Sequence, residues 1–195
     1  MSSILEWDRD LLLWLNSFHT DWLDSIMYWI TKTFVWAPLY VFLIVLVIKN
    51  YKKESWIILL GAALVVILCD QTTSTLMKPF FARLRPSQEP SLQGIIHLVN
   101  GYTGGKYGFA SGHAANTSGT ALFVWLALRS YYKWIALIFI WAMLMTYTRI
   151  YLGVHYPTDI LVGGAIGLFY GWLSFKLTQW VIQKKRARQS RAPLL

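Results

Sequence analysis

Residues 148–159 read TRIYLGVHYPTD. They place an arginine, a histidine and an aspartate between two long apolar runs, so the reading of this stretch decides what surrounds it. Arg149 and His155 stand six residues apart and His155 and Asp159 four apart, with Pro157 between the last two. Proline suits the first turn of a helix and pushes its predecessor toward an extended backbone. A helix is therefore expected to start at Pro157, with Tyr156 capping it and Asp159 in its first turn. His155 falls just outside that helix. One imidazole nitrogen can share a hydrogen bond with the Asp159 carboxylate while the other stays free to attack or to bind a ligand.

Composition sets the medium. The 195 residues are 56% hydrophobic and 16% aromatic, with 11 tryptophans, and the mean hydropathy is +0.44. A soluble domain of this size carries less apolar surface, so the chain reads as an integral membrane protein. The net charge of +9 comes from cations in short segments between apolar runs and near the C-terminus. That is the pattern of cytoplasmic loops rather than of a nucleic-acid surface. Cys69 is the single cysteine and lies in an apolar run; it reads as a buried small hydrophobe. Glu6, Asp8 and Asp10 stand where a cleavable leader would be basic, so the first span is expected to direct insertion.

Taken in order, residues 4–18 mix Leu and Trp with a short charged patch, the pattern of a helix lying in the membrane interface. Trp22 to Ile48 is read as a first span, bent near Pro38. Trp56 to Met77 forms a second. Asp70 lies inside that second span, where a carboxylate is either functional or hydrogen-bonded between helices. Residues 78–111 make a polar connection containing Gly and Pro, too long for a turn and expected to wall or cover a site, with Gly104 and Gly105 as its hinge. Ala114–Leu128, Trp134–Leu152 and Pro157–Ile182 supply three more spans, the first short and rich in small residues that permit close helix approach. The expectation is an all-α bundle of about five spans with an interfacial helix at 1–20, forming one domain over 1–195, and a basic cytoplasmic tail at 184–195.

Counting spans places Lys78, His113, Arg149 and Asp159 at one membrane face. The opposite face holds Lys49, Lys52, Lys53, Arg129, Lys133, Lys184, Lys185, Arg186, Arg188 and Arg191, ten of the eighteen basic residues. The positive-inside rule puts that face in the cytoplasm, so the cluster is expected to face the periplasm or exterior. Lys78 and Arg85 are two cations in want of an anion. Ser111, Gly112 and His113 open a helix, where unpaired N–H groups and the helix dipole favour a bound oxyanion. His113 can carry a proton to a leaving oxygen. With Arg149, this is an inventory for phosphoryl transfer through histidine.

Three segments in order, KPFFARLRP at 78–86, ASGH at 110–113 and TRIYLGVHYPTD at 148–159, closely resemble the signatures of the type 2 phosphatidic acid phosphatase superfamily. Ala110 stands where the commonest pattern has proline and Thr148 where it has serine; neither change removes a group the chemistry needs. The resemblance implies that His155 is the nucleophile forming a phosphohistidine, that Asp159 orients it, and that His113 protonates the leaving group. Lys78, Arg85, Ser111, Gly112 and Arg149 would hold the phosphoryl oxygens, with no metal and no cofactor. The implied substrate is a lipid phosphate or diphosphate in the plasma (inner) membrane: undecaprenyl diphosphate or phosphatidylglycerophosphate first, with phosphatidic acid and the 1-phosphate of lipid A behind them.

Other classes compete. A metal site could use His113, His155, Asp159 and Asp70, although the neighbouring cations would repel the ion. Vanadium haloperoxidases resemble the same superfamily but are larger and soluble. The basic and aromatic residues could merely anchor helix ends at the interface. A non-catalytic lipid-binding or transport protein would share the topology without turnover. In the long loop, His97, Tyr102 and Lys106 are either head-group contacts or ordinary loop residues.

Overall fold

The computed structural model describes residues 2–190. Its elements are helical: α1 (Ser2–Asn16), α2 (Asp21–Ile30), α3 (Ala37–Tyr51), α4 (Ser55–Asp70), α5 (Lys78–Phe81), α6 (Gly112–Leu128), α7 (Ile138–Tyr151) and α8 (Pro157–Ser190).

 Among the described residues there is no strand, only an isolated bridge between Leu84 and Tyr107. Seven π-helical residues, Gln71–Met77, join α4 to α5 without a break. Three helical stretches are long and apolar enough to cross a membrane: Thr33–Phe81, Lys133–Tyr151 and Pro157–Ser190. The first of these is folded back on itself where Lys52 takes φ 48° and ends α3. The described residues thus form an all-α membrane bundle, as the apolar runs predict.

The expected first span divides differently. Residues 21–30 form a separate helix, a 3-10 turn covers Thr33–Trp36, and Pro38 stands in the first turn of α3 rather than at a bend within a span. The cause is the ring itself, which fixes φ and carries no N–H, so it suits a helix start.

The α6–α8 contact positions the site. Glycines 163, 167 and 171 recur every four residues on α8 and are buried against α6. A Cβ on Gly167 would lie 2.1 Å from the Ala115 carbonyl oxygen, and one on Gly163 would lie 2.4 Å from that of Ser111. The backbones meet without side chains between them, the close approach that small residues permit in membrane bundles. It draws the start of α6 against the start of α8. The Ser111 N–H donates to the Asp159 carbonyl at 2.9 Å across that seam.

At the opposite end of the bundle, Arg186 of α8 donates through Nε to Glu54 Oε1 at 2.9 Å, and Tyr51 donates to the Ala127 carbonyl at 2.7 Å. The basic segments around residues 49–54, 129–133 and 184–190 therefore share one end. Residue 191, the last of the expected basic set, lies outside the described residues.

The N-terminal helix is turned inside out relative to a soluble one. Asp8, Leu12 and Asn16, spaced four apart, are its buried face, while Ile4, Leu5, Trp7 and Trp14 are more than half exposed. Such a helix presents its apolar side to lipid and its polar side to protein. Asn16 ties it down: its Nδ2 donates to the carbonyls of Tyr151 at 2.8 Å and His97 at 3.1 Å, and its Oδ1 accepts from the His97 N–H at 2.8 Å.

Candidate active site

Pro157 opens α8, and the Asp159 carboxylate reaches back from the third helical position to accept the Tyr156 N–H through Oδ2 at 3.1 Å. This is the carboxylate half of a capping box. The same Oδ2 accepts from His155 Nδ1 at 3.2 Å. On the far side of the ring, Arg85 Nη1 lies 2.8 Å from His155 Nε2 and donates also to the Val154 carbonyl at 3.1 Å. An acceptor at one nitrogen and a donor at the other select the tautomer with its proton on Nδ1 and its lone pair on Nε2. Burial first, then the charges of Arg85 and Arg149, hold the His155 imidazole well below the usual histidine value. It is neutral, with a lone pair directed at the cations.

A cavity of about 280 Å³ opens beside that ring, lined by Lys78, Arg85, Gly112, His113, Arg149 and His155 among others. Six of the eight residues singled out from the sequence thus meet on one chamber. Asp159 sits behind His155 and is fully buried. Ser111 does not line the chamber. It is fully buried beneath it, with its hydroxyl accepting the Ala114 N–H at 3.4 Å as the cap of α6.

The two chamber arginines are held but incompletely satisfied. Arg149, 2% exposed, donates from Nη1 to Thr31 Oγ1 at 2.7 Å and from Nη2 to the Tyr102 hydroxyl at 3.2 Å. The Nε–H groups of Arg85 and Arg149 are buried and have no partner among the described residues. Burial, and then the charge of Arg149, pull Arg85 below its ordinary value, yet a guanidinium does not surrender its proton. Buried, charged donors without acceptors call for an anion. Lys78 donates to Ser74 Oγ at 3.0 Å, which in turn donates to Asp70 Oδ1 at 3.0 Å. Asp70 therefore bonds along its own helix rather than between helices, and it joins the chamber wall.

Residues beyond the eight complete the chamber, and of these Ser74 and Asn116 are the ones that the sequence did not single out. Tyr102 lines the chamber, and the Arg149 charge and hydrogen bond outweigh burial to set its phenol below the ordinary tyrosine value. Asn116 lines it one turn after His113. Of the other loop residues, His97 turns to Asp24, with Nε2 2.9 Å from Oδ2, and Lys106 lies near the Tyr107 ring. Gly104 and Gly105 form part of the wall; Gly104 takes φ 66°, and a Cβ there would lie 3.3 Å from the Arg85 guanidinium. Among the described residues, no group of three or more His, Cys, Asp or Glu side chains could hold a metal ion.

His113 and Asn116 also stand at the top of a second cavity, about 400 Å³, that runs between α3, α4, α6 and α7 past Tyr40, Ala62, Thr120 and Trp141. Tyr40, Ala62 and Thr120 are shared with a further apolar cavity of about 350 Å³. The polar chamber and the less polar cavity thus share His113 and Asn116 as a common wall.

The sequence profile of the PAP2 superfamily matches residues 54–183. The chain belongs to that superfamily. It is 41% identical over 181 residues to a lipid A 4'-phosphatase of Porphyromonas gingivalis, covering 91% of this chain and 75% of that one. It is 36% identical over 191 residues to a lipid A 4'-phosphatase of Bacteroides thetaiotaomicron, covering 96% and 82%. An undecaprenyl-diphosphatase of Sulfolobus acidocaldarius is 28% identical over 160 residues, covering 80% and 70%. Among solved structures, a transmembrane PAP2-type phosphatidylglycerolphosphate phosphatase from Bacillus subtilis superposes with a TM-score of 0.67 at 22% identity, covering 94% of this chain and 88% of that one; it shares the fold. The chain is a membrane-embedded PAP2 lipid phosphatase.

Proposed function

We propose that this PAP2 phosphatase removes the 4'-phosphate of lipid A through a phosphohistidine at His155, in a chamber open to the outer face of the inner membrane. The observation that carries the chemistry is the line Arg85–His155–Asp159, which leaves the Nε2 lone pair among three cations. An arriving phosphate takes over the Arg85 donor for its own oxygens and frees that lone pair. Nε2 attacks phosphorus, the bond to the sugar oxygen breaks, and His113 gives the leaving oxygen its proton. The negative charge of the substrate favours the protonated form of His113 when it is needed. Asp159 stabilises the positive charge that develops on the ring. Water then attacks phosphorus, the bond to Nε2 breaks and returns its electron pair to the imidazole, His113 takes the proton of the water, and phosphate leaves. Lys78, Arg85, Arg149 and the Gly112 amide neutralise the equatorial oxygens, so the mechanism needs no metal. Ser111 supports the turn that presents Gly112 and His113.

The substrate assignment rests on the two 4'-phosphatase relatives, which match at higher identity and over more of the chain than the undecaprenyl-diphosphatase. It takes precedence over the undecaprenyl diphosphate and phosphatidylglycerophosphate expected from the motifs. A chamber that shares a wall with an apolar cavity suits a phosphate attached to acyl chains. Residues 1–195 form one catalytic domain, a reading that the packing of α1 against α7 and α8 supports. The test is phosphate release by the purified protein from lipid A carrying only the 4'-phosphate, only the 1-phosphate, and from undecaprenyl diphosphate. The 4'-phosphate should give the highest kcat/KM; a higher value for either of the others contradicts the assignment.

A further inference from the structure

Asp8 is a fully buried carboxylate on α1 that the phosphoryl transfer described above does not use. It accepts the Thr158 N–H through Oδ1 at 2.9 Å and Arg83 Nη2 through Oδ2 at 2.6 Å, and Oδ2 also accepts the Thr158 hydroxyl. Arg83 spans the gap to the catalytic pair. Its Nη1 donates to Asp159 Oδ1 at 2.9 Å and to Thr158 Oγ1 at 2.8 Å, and its guanidinium lies 3.9 Å from the centre of the Tyr156 ring. Asp159 is thereby divided: Oδ2 serves His155 and the Tyr156 N–H, and Oδ1 serves Arg83.

We propose that Asp8 is a positioning residue for the reaction, acting through Arg83 and Thr158 to fix Asp159 and to balance the charge behind His155. The proposal rests on the assignment of His155 as nucleophile. Two physical arguments support it. Asp8 supplies from another helix the acceptor that the second N–H of α8 lacks in its own sequence, since Tyr156 at the cap position has no side-chain acceptor to offer. It also shares the Arg83 cation. Arg83 and Asp159 alone would sum to zero behind the ring; with Asp8 the three groups carry one net negative charge. That charge favours the positive imidazolium formed as Nε2 bonds to phosphorus. Asp8 lies outside residues 54–183, the segment that matches the superfamily, so this brace comes from a part of the chain beyond the matched core.

The test uses the full chain in detergent and measures kcat and KM for phosphate release from 4'-phosphorylated lipid A. Asp8→Asn should lower kcat on the order of tenfold or more with KM within about twofold, as loss of orientation does. Asp8→Glu should recover part of that loss. Because Asp8 acts through Arg83, Asp8→Asn combined with Arg83→Gln should lose no more than Arg83→Gln alone, whereas an independent structural role gives additive losses. Asp8→Asn with a kcat within twofold of wild type, or additive losses in the double variant, overturns the proposal. If Asp8→Asn is too unstable to purify, Arg83→Gln decides, because Asp8 reaches Asp159 through Arg83: a lowered kcat at unchanged KM supports the brace and a normal kcat overturns it. His155→Ala, assayed alongside, separates the two claims. Turnover surviving in His155→Ala overturns the nucleophile assignment itself, while an inactive His155→Ala beside a normal Asp8→Asn overturns the brace alone.

Discussion

His155 is 1% exposed and neutral in the folded protein, a state that acid opposes. Once unfolded, the same imidazole titrates near the ordinary histidine value of 6.5. Below that pH the unfolded chain binds a proton that the folded one refuses, so stability is complete above 6.5 and is lost as the pH falls through it. The slope is about 1.4 kcal/mol per pH unit for one such group. Thermal unfolding in detergent between pH 7.5 and 5 should show the midpoint falling, and His155→Asn should flatten that fall; equal slopes in both proteins contradict a neutral, buried His155. At this scale the sequence discloses groups better than partners. Lys78, Arg85, His113, Arg149 and His155 are legible because cations and imidazoles at span ends have few structural excuses. Arg83 and Asp8 are not, because what defines them is a contact across 75 residues. The signal for Arg83 was present in KPFFARLRP as a third cation, but nothing local says that it turns to Asp159 rather than to phosphate. Asp8 stands between Glu6 and Asp10, and nothing local sets it apart from them.

The α6–α8 seam carries a sharp test. Gly167→Leu must separate two backbones already in contact at the Ala115 carbonyl, and overpacking of this kind costs about 1–3 kcal/mol. Gly164 is the control on the same helix, since a Cβ there meets nothing within 4 Å; Gly164→Ala should be neutral or stabilising by up to about 1 kcal/mol. Thermal unfolding of the two variants checks both, and a Gly167→Leu protein as stable as Gly164→Ala contradicts the close approach. The small residues of this pair were legible as a packing signal. The partition of residues 22–48 was not, because hydropathy sees one apolar run where Pro38 starts a new helix. Nor does an average over α1 reveal its orientation, since its buried stripe of Asp8, Leu12 and Asn16 carries two polar residues and its tryptophans face outward. A stripe read for hydrophobicity alone points the wrong side of that helix at the protein.

Across the molecule, the chamber and the basic segments occupy opposite ends of the bundle, and the positive-inside rule gives that polarity a direction. Ser91→Cys in the long loop and Gln189→Cys at the end of α8, both exposed positions, can be introduced one at a time into a Cys69→Ser background. With an impermeant thiol reagent on spheroplasts, Ser91→Cys should label and Gln189→Cys should not. The reverse pattern places the chamber in the cytoplasm and removes the outward-facing substrate pool on which the proposed function depends. The architecture as a whole was legible because a bilayer imposes long apolar helices on any chain that crosses it. The substrate was not, because motifs shared by a superfamily specify the phosphoryl group and say nothing of what it is attached to.

The central claim is that the phosphoryl group rests on His155. Its most direct test is a rapid acid-free quench of the protein turning over lipid A labelled with ³²P at the 4'-phosphate, followed by denaturing electrophoresis. A protein-bound label that is stable to alkali, released by mild acid and absent from His155→Ala is the predicted result. A label that persists in an active His155→Ala protein would contradict the account.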